Sequence, residues 1–217
     1  MTLRIHRVPG LQAIPELDRL LKAGRRAFLI GGEPERLDAD LPAADEIQET
    51  LNLASVFDAV RWMKDRRAEL SEDGVEFDDE LIGVWTREIQ DKGELSLHRD
   101  PRGKALKEVA IGEVDVAHAW QIPAAVGYGG WNACPEAVVQ TAMFRRWEEK
   151  YGAEIRGLGF DTIECVVSRP PQTQERAMEL AWEQFLFCED IVTQGVGTIS
   201  DLGATLIRSP YWFFWWD

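Results

Sequence analysis

The chain has 217 residues, 45% hydrophobic and 29% charged, which is enough apolar content for one sizeable core or two small ones and excludes the disordered, collagen-like and low-complexity classes. Lysine and arginine total 24 against 38 aspartates and glutamates, and the formal charge of −14 argues against sequence-independent binding to nucleic acid or an anionic membrane and for a basic protein partner. No apolar run reaches the ~18 residues of a membrane span, and the first ten residues carry Arg4, His6 and Arg7 with no apolar signal core behind them, so a cytoplasmic location is expected.

Residues 3–8 alternate as a short strand, and residues 12–23 place Ile14, Leu17, Leu20 and Leu21 at helical spacing until Gly24 stops them. The apolar run 26–30 reads as a buried strand, so the opening is β-α-β. Residues 33–49 hold seven acids and one base and read as a solvated connection or one charged flank. A helix is expected over 55–70, with Ser55 as N-cap and Val56, Phe57, Val60 and Met63 on one face. A second acidic block, 69–80, follows. Residues 92–107 mix glycine, proline and charges and suit a linker or hairpin. A soft boundary there divides the chain into an N-terminal α/β region, 1–100, and a C-terminal domain, 107–217, as separate units or one continuous globule.

In the second half, 109–116 and 119–122 look extended and Pro123 ends them. Gly127, Gly129 and Gly130 then form a loop before a helix from Pro135 to Lys150. Two strands, 153–158 and 161–168, make a hairpin around Gly159 and Phe160. Thr173 caps a broadly apolar helix, and Thr198 with Asp201 opens a short one. The end, Tyr211 to Trp216, puts aromatic side chains on both faces of a strand, which calls for cover on both sides. The expected fold is α+β, a mixed sheet flanked by helices with the C-terminal aromatic strand central.

Several motifs fall in a characteristic order: Gly129-Gly130-Trp131-Asn132-Ala133-Cys134-Pro135, Arg146-Trp147, Tyr151-Gly152-Ala153-Glu154, Arg169-Pro170-Pro171, Phe187-Cys188-Glu189-Asp190, Gln194-Gly195 and the aromatic terminus. Over about residues 107–217 the chain therefore resembles the bacterial family called Domain of Unknown Function 4253. The resemblance implies an architecture and assigns no chemistry.

Three chemistries remain open beside the interaction module that the charge suggests, a module of the immunity-like kind that neutralises a basic protein. If Pro135 opens its helix, Cys134 is the N-cap, where free N–H groups favour a thiolate, and His118 with Glu164 or Glu154 completes a candidate thiol-dependent enzyme. The alternative is an inert cysteine in a tight turn. The loop residues Gly129, Gly130, Trp131 and Asn132 form a candidate small-ligand site without the Walker or dinucleotide pattern. Glu164 and the pair Glu189-Asp190 are candidate acid-base groups, or partners of Arg145, Arg146, Arg156 or Arg169. Cys134, Cys165 and Cys188 are odd in number and widely spaced, and alternation puts His118 opposite Glu113 and Asp115, so neither a disulfide framework nor a metal site is expected. No cofactor is indicated, and the oligomeric state is open.

Overall fold

The computed structural model describes residues 3–38, 41–90 and 92–217. Residues 1–2 of the opening segment and residues 39–40 of the acidic stretch lie outside them. Strand β1 (Arg4–Val8) leads into helix α1 (Ala13–Lys22), whose buried Ala13, Leu17 and Leu20 recur at i, i+4 and i+7. Gly24, at φ +77°, turns the chain into β2 (Arg26–Gly31), and the β-α-β opening stands as its spacing predicts.

The acidic stretch is largely helical, contrary to expectation. It contains α2 (Glu35–Asp38) and α3 (Ala44–Ser55), where the Glu46 carboxylate accepts the Ala43 N–H at 2.6 Å. Ile47 and Ala54 are the buried residues of α3, a stripe too narrow to stand out among so many acids. The expected helix over 55–70 is also displaced. Ser55 ends α3 by donating to the Asn52 carbonyl, the chain breaks, and Asp58 caps α4 (Ala59–Glu72) by accepting the Arg61 N–H at 3.0 Å. Val56 and Val60, assigned to a buried face, are exposed. After α5 (Asp79–Ile82) the chain reaches β3 (Val109–Val114).

Residues 119–122 are not extended. A 3-10 turn, Ala119–Gln121, runs into α6 (Ile122–Val126), where Pro123 sits in the first turn and its missing N–H costs nothing. Helix α7 (Ala137–Tyr151), stopped by the left-handed Gly152, precedes the hairpin of β4 (Ala153–Leu158) and β5 (Thr162–Val167). Thr173 and Thr198 cap α8 (Gln174–Phe187) and α9 (Ile199–Leu206), and a π-helical stretch, Ile191–Val196, lies between those helices. The final strand is β6 (Tyr211–Trp215).

The fold is α+β, with six strands in the order β1-β3-β2-β4-β5-β6. One parallel pair, β2 with β4 at Leu29 and Gly157, makes an otherwise antiparallel sheet mixed. The aromatic terminus is not central: β6 is an edge strand paired only with β5. Alternation then serves it as on any edge, with Trp212 and Phe214 buried and Phe213 51% exposed. The π-helical stretch lies beside it, α9 packs against that stretch, and a cavity remains between them and the strand edge.

Cross-strand neighbours share a face, and the register runs His6, Ile111, Leu29, Gly157, Glu164 and Phe213 across the whole sheet. We call this the outer face. It is covered by α1 against Ala27, Leu29, Val109 and Ile111, together with Leu95, Leu97 and Leu106 from the stretch expected to be a linker or hairpin, which folds back on itself through an antiparallel bridge of Arg99 with Ala105. The opposite, inner face meets α6 to α9 through one large cluster. At its centre Trp147 stacks on Phe214 (centroids 5.4 Å, 10°), with Phe144 and Phe187 edge-on.

Candidate functional site

The outer face carries a polar residue at the middle of β5 that its packing explains only in part. Glu164 is 2% exposed, yet among the described residues no cation pairs with it. The arginine partners expected for it are engaged elsewhere: Arg145 with Glu149, Arg146 with Glu183, Arg156 with Glu154, and Arg169 with the carbonyls of Glu148 and Glu149. Its carboxylate instead accepts the Ser96 backbone N–H (2.8 Å), the Ser96 hydroxyl and, more loosely, the Leu97 N–H (3.4 Å). Gly157 makes the room, since a Cβ there would stand 2.7 Å from Glu164 Oε2 and 2.9 Å from Leu97. Burial pushes the Glu164 carboxyl above the ordinary carboxylate range, and the donors of Ser96 and Leu97 oppose that rise.

Above this anchor opens a cleft of about 710 Å³ between the end of β2, the β4–β5 turn and residues 94–106. Gly31, Leu97, Leu106 and Phe213 line it beside six charged groups. Arg36 pairs with Glu33 at 3.0 Å and lies over the Phe160 ring at 3.5 Å, and Arg99 pairs with Glu94 at 3.5 Å. Asp100 and Asp161 have no cation among the described residues. Asp100 accepts the N–H groups of Arg102 and Lys104, and Asp161 accepts the Thr162 hydroxyl at 2.8 Å. The cleft is thus net acidic, with the exposed rings of Phe160 and Phe213 at its walls.

The residues read as a thiol site are dispersed. Helix α7 begins two residues later than expected, with Glu136 as its N-cap, so Cys134 is not at a helix terminus. The loop closes on itself instead: Gly130 N–H donates to the Cys134 carbonyl at 3.1 Å, and Gly129, at φ +104°, comes so near the Pro135 carbonyl that a Cβ would be 1.9 Å from it. Cys134 is 3% exposed, takes a hydrogen bond from Gln140 Nε2 at 3.3 Å, and has its thiol pushed up by burial. His118 is half-exposed, stacks on Trp120 and pairs with Glu148 at 3.4 Å. Among the described residues no hydrogen bond joins Cys134, His118 and Glu164.

Of the loop candidates, Gly130 and Asn132 line a cavity of about 440 Å³ together with Cys134, and the loop is also held by packing and a hydrogen bond. Trp131 stacks on Phe160 at 5.5 Å, and Asn132 Nδ2 donates to the Asp217 carbonyl at 2.7 Å. Asp190 accepts from Gln194 and the Asp217 N–H, while Glu189 faces Arg66 at 3.7 Å. Glu113 is buried beneath Arg4, Arg25 and His6, away from His118. No group of three or more metal-ligating side chains occurs among the described residues, and none of their helices is long and apolar enough to cross a membrane. Sequence reasoning missed Ser96, Asp100, Asp161 and Phe213. The candidate Glu164 and the hairpin turn around Phe160 pointed toward this place.

Residues 110–217 match the family model of a domain of unknown function, DUF4253, in agreement with the resemblance read from the motifs. The match begins within β3, so β1 and β2 complete the sheet from outside it. No curated protein and no solved structure matches the chain. The motifs that carry the resemblance are mainly packing and capping groups here. Trp147, Phe187, Phe214 and Trp216 fill the inner core, Gly152 ends α7, and Asp190 ties down the terminus.

Proposed function

We propose that the protein is a binding module that receives a basic, partly apolar segment of another protein in the outer-face cleft, an immunity-like role in which a basic partner is neutralised by being covered. The observation that carries this reading is the cleft itself. Its two arginines each have a carboxylate partner, whereas Asp100 and Asp161 have none that is cationic, and Phe160 and Phe213 stand exposed beside them. A lysine or arginine entering there meets two carboxylates that have hydrogen-bond donors but no cationic partner among the described residues, and its aliphatic stem or an apolar neighbour meets the rings. The charge of −14 steers such a partner from a distance.

Thiol chemistry has less support. All three cysteines are buried with thiols pushed up by burial, and a nucleophile needs the opposite.

Titration calorimetry of the full chain against a lysine- and leucine-containing peptide and its glutamate counterpart, at low and high salt, tests the proposal. The basic peptide binds, its affinity falls with salt, and Asp100→Asn with Asp161→Asn weakens it by about tenfold. Equal binding of the two peptides, or an undiminished affinity in the double variant, overturns it.

A further inference from the structure

Beyond β6, on the side away from β5, lies a second and more apolar cavity of about 290 Å³, roughly the space of ten waters at about 30 Å³ each. Ile191 and Val196 of the π-helical stretch and Leu202 and Leu206 of α9 form much of its wall. Two fully buried side chains that line it have donors without partners: Gln184 Nε2, on a residue 1% exposed, and the indole Nε1 of Trp212, 3% exposed. Buried donors are ordinarily paired, so two in the wall of one small apolar cavity leave that wall short of acceptors.

The edge of β6 adds a third group. Pro210 O accepts the Val167 N–H and Trp216 N–H donates to Asp161 O, so alternation directs the backbone of residues 210, 212, 214 and 216 toward β5 and that of 211, 213 and 215 away. At Tyr211 the outward groups are satisfied by the Ser209 hydroxyl, and the Trp215 carbonyl takes the Cys188 thiol at 3.0 Å. Phe213, between them, lines the cavity and has no hydrogen bond to its outward N–H and C=O among the described residues. A free N–H and C=O on one edge residue is the complement of an amide.

We propose that the cavity at the free edge of β6 binds a small neutral molecule with an apolar body and one amide group. The amide lies along Phe213, its carbonyl also within the field of the Gln184 and Trp212 donors, and its body fills the space among Ile191, Val196 and Leu202. Asp190 and Lys92 both line the cavity and both are already engaged, Asp190 by Gln194 and the Asp217 N–H and Lys92 by Glu88, so the ligand is taken as neutral. This site meets the outer-face cleft at Phe213, which lines both, and does not rest on the function proposed for that cleft.

Nitrogen-15 NMR of the full chain, titrated with N-methylbenzamide and with methyl benzoate and propylbenzene as comparators of nearly the same shape, tests it. The amide shifts the Trp212 indole, Gln184 side-chain and Phe213 backbone N–H signals saturably. The hydrocarbon binds about tenfold more weakly, the worth of one or two hydrogen bonds, and the ester lies between. Val196→Trp, which plugs the cavity from an exposed position, abolishes the shifts and leaves the other indole signals in place. Thr205→Phe is the second plug if the first fails to fold. The proposal fails if those three signals do not saturate, if propylbenzene binds as well as the amide, or if a folded plugged variant responds like the wild type.

Discussion

The two faces of the sheet are built from the same strands and follow different rules. The inner face is apolar and closely packed, with Trp147, Phe144, Phe187, Phe214 and Trp216 in stacked and edge-on contact beneath helices. The outer face carries both buried glutamates of the sheet, Glu113 and Glu164, and beside α1 its cover is an irregular segment contributing Leu95, Leu97 and Leu106. The glutamates differ as well: Glu113 is surrounded by Arg4, Arg25 and His6, whereas Glu164 is held by N–H and O–H donors alone. The difference teaches that one face holds the fold together while the other, more thinly covered, is free to carry polar groups and a cleft.

Adjacent residues of β6 offer the sharpest way to break this division. Phe214→Ala removes a fully buried ring and is expected to lower unfolding free energy by about 3–5 kcal/mol, read by urea denaturation. Phe213→Ala, on the exposed side, is expected to change it by less than about 0.5 kcal/mol while weakening peptide binding in the cleft. Comparable stability losses for the two would refute the assignment of faces.

A smaller effect is expected at Glu164. Glu164→Ala leaves the donors of Ser96 and Leu97 without their acceptor and costs about 1–3 kcal/mol. In Glu164→Gln the amide oxygen keeps the two bonds from Ser96, so most of that loss is recovered. If both variants melt alike, the carboxylate is not what pins residues 96–97 to the sheet.

The same residue predicts a pH dependence with a definite sign. Because the folded-state pKa of Glu164 is raised, its favourable contribution is complete below the ordinary carboxylate value of 4.5 and is lost as pH rises through the higher folded value. Glu164→Gln cannot ionise, so its stability relative to the wild type is expected to improve across that rise. A difference that stays flat or reverses in paired melts across this range refutes the raised pKa.

The smallest signal is expected from the thiols. Burial pushes all three up, Cys188 to about 12, so alkylation of the native protein at neutral pH is expected to be slow at every cysteine and fast only after unfolding. Rapid native labelling of Cys134, read by mass spectrometry, would return the thiol reading to consideration.

Local chemistry in the sequence was sufficient for most elements. Thr173 and Thr198 cap the helices their side chains announce, Gly24 and Gly152 stop α1 and α7, and the β4–β5 hairpin falls around Gly159 and Phe160 as alternation requires. These features are set by neighbours within a few positions, so the chain records them directly. Helix α3 and the true start of α4 were hidden because charge counts and a serine at position 55 outweighed the narrow stripe of Ile47 and Ala54 and the real cap, Asp58.

Tertiary structure alone decided the strand order, the edge position of β6, the partner of Glu164 and the burial of Cys134. Ser96 meets Glu164 across 68 positions of sequence, and six consecutive aromatics read alike until packing buries one side of them. Which strand stands beside which depends on how all the apolar faces are buried at once, a condition of the whole chain that no local spacing contains.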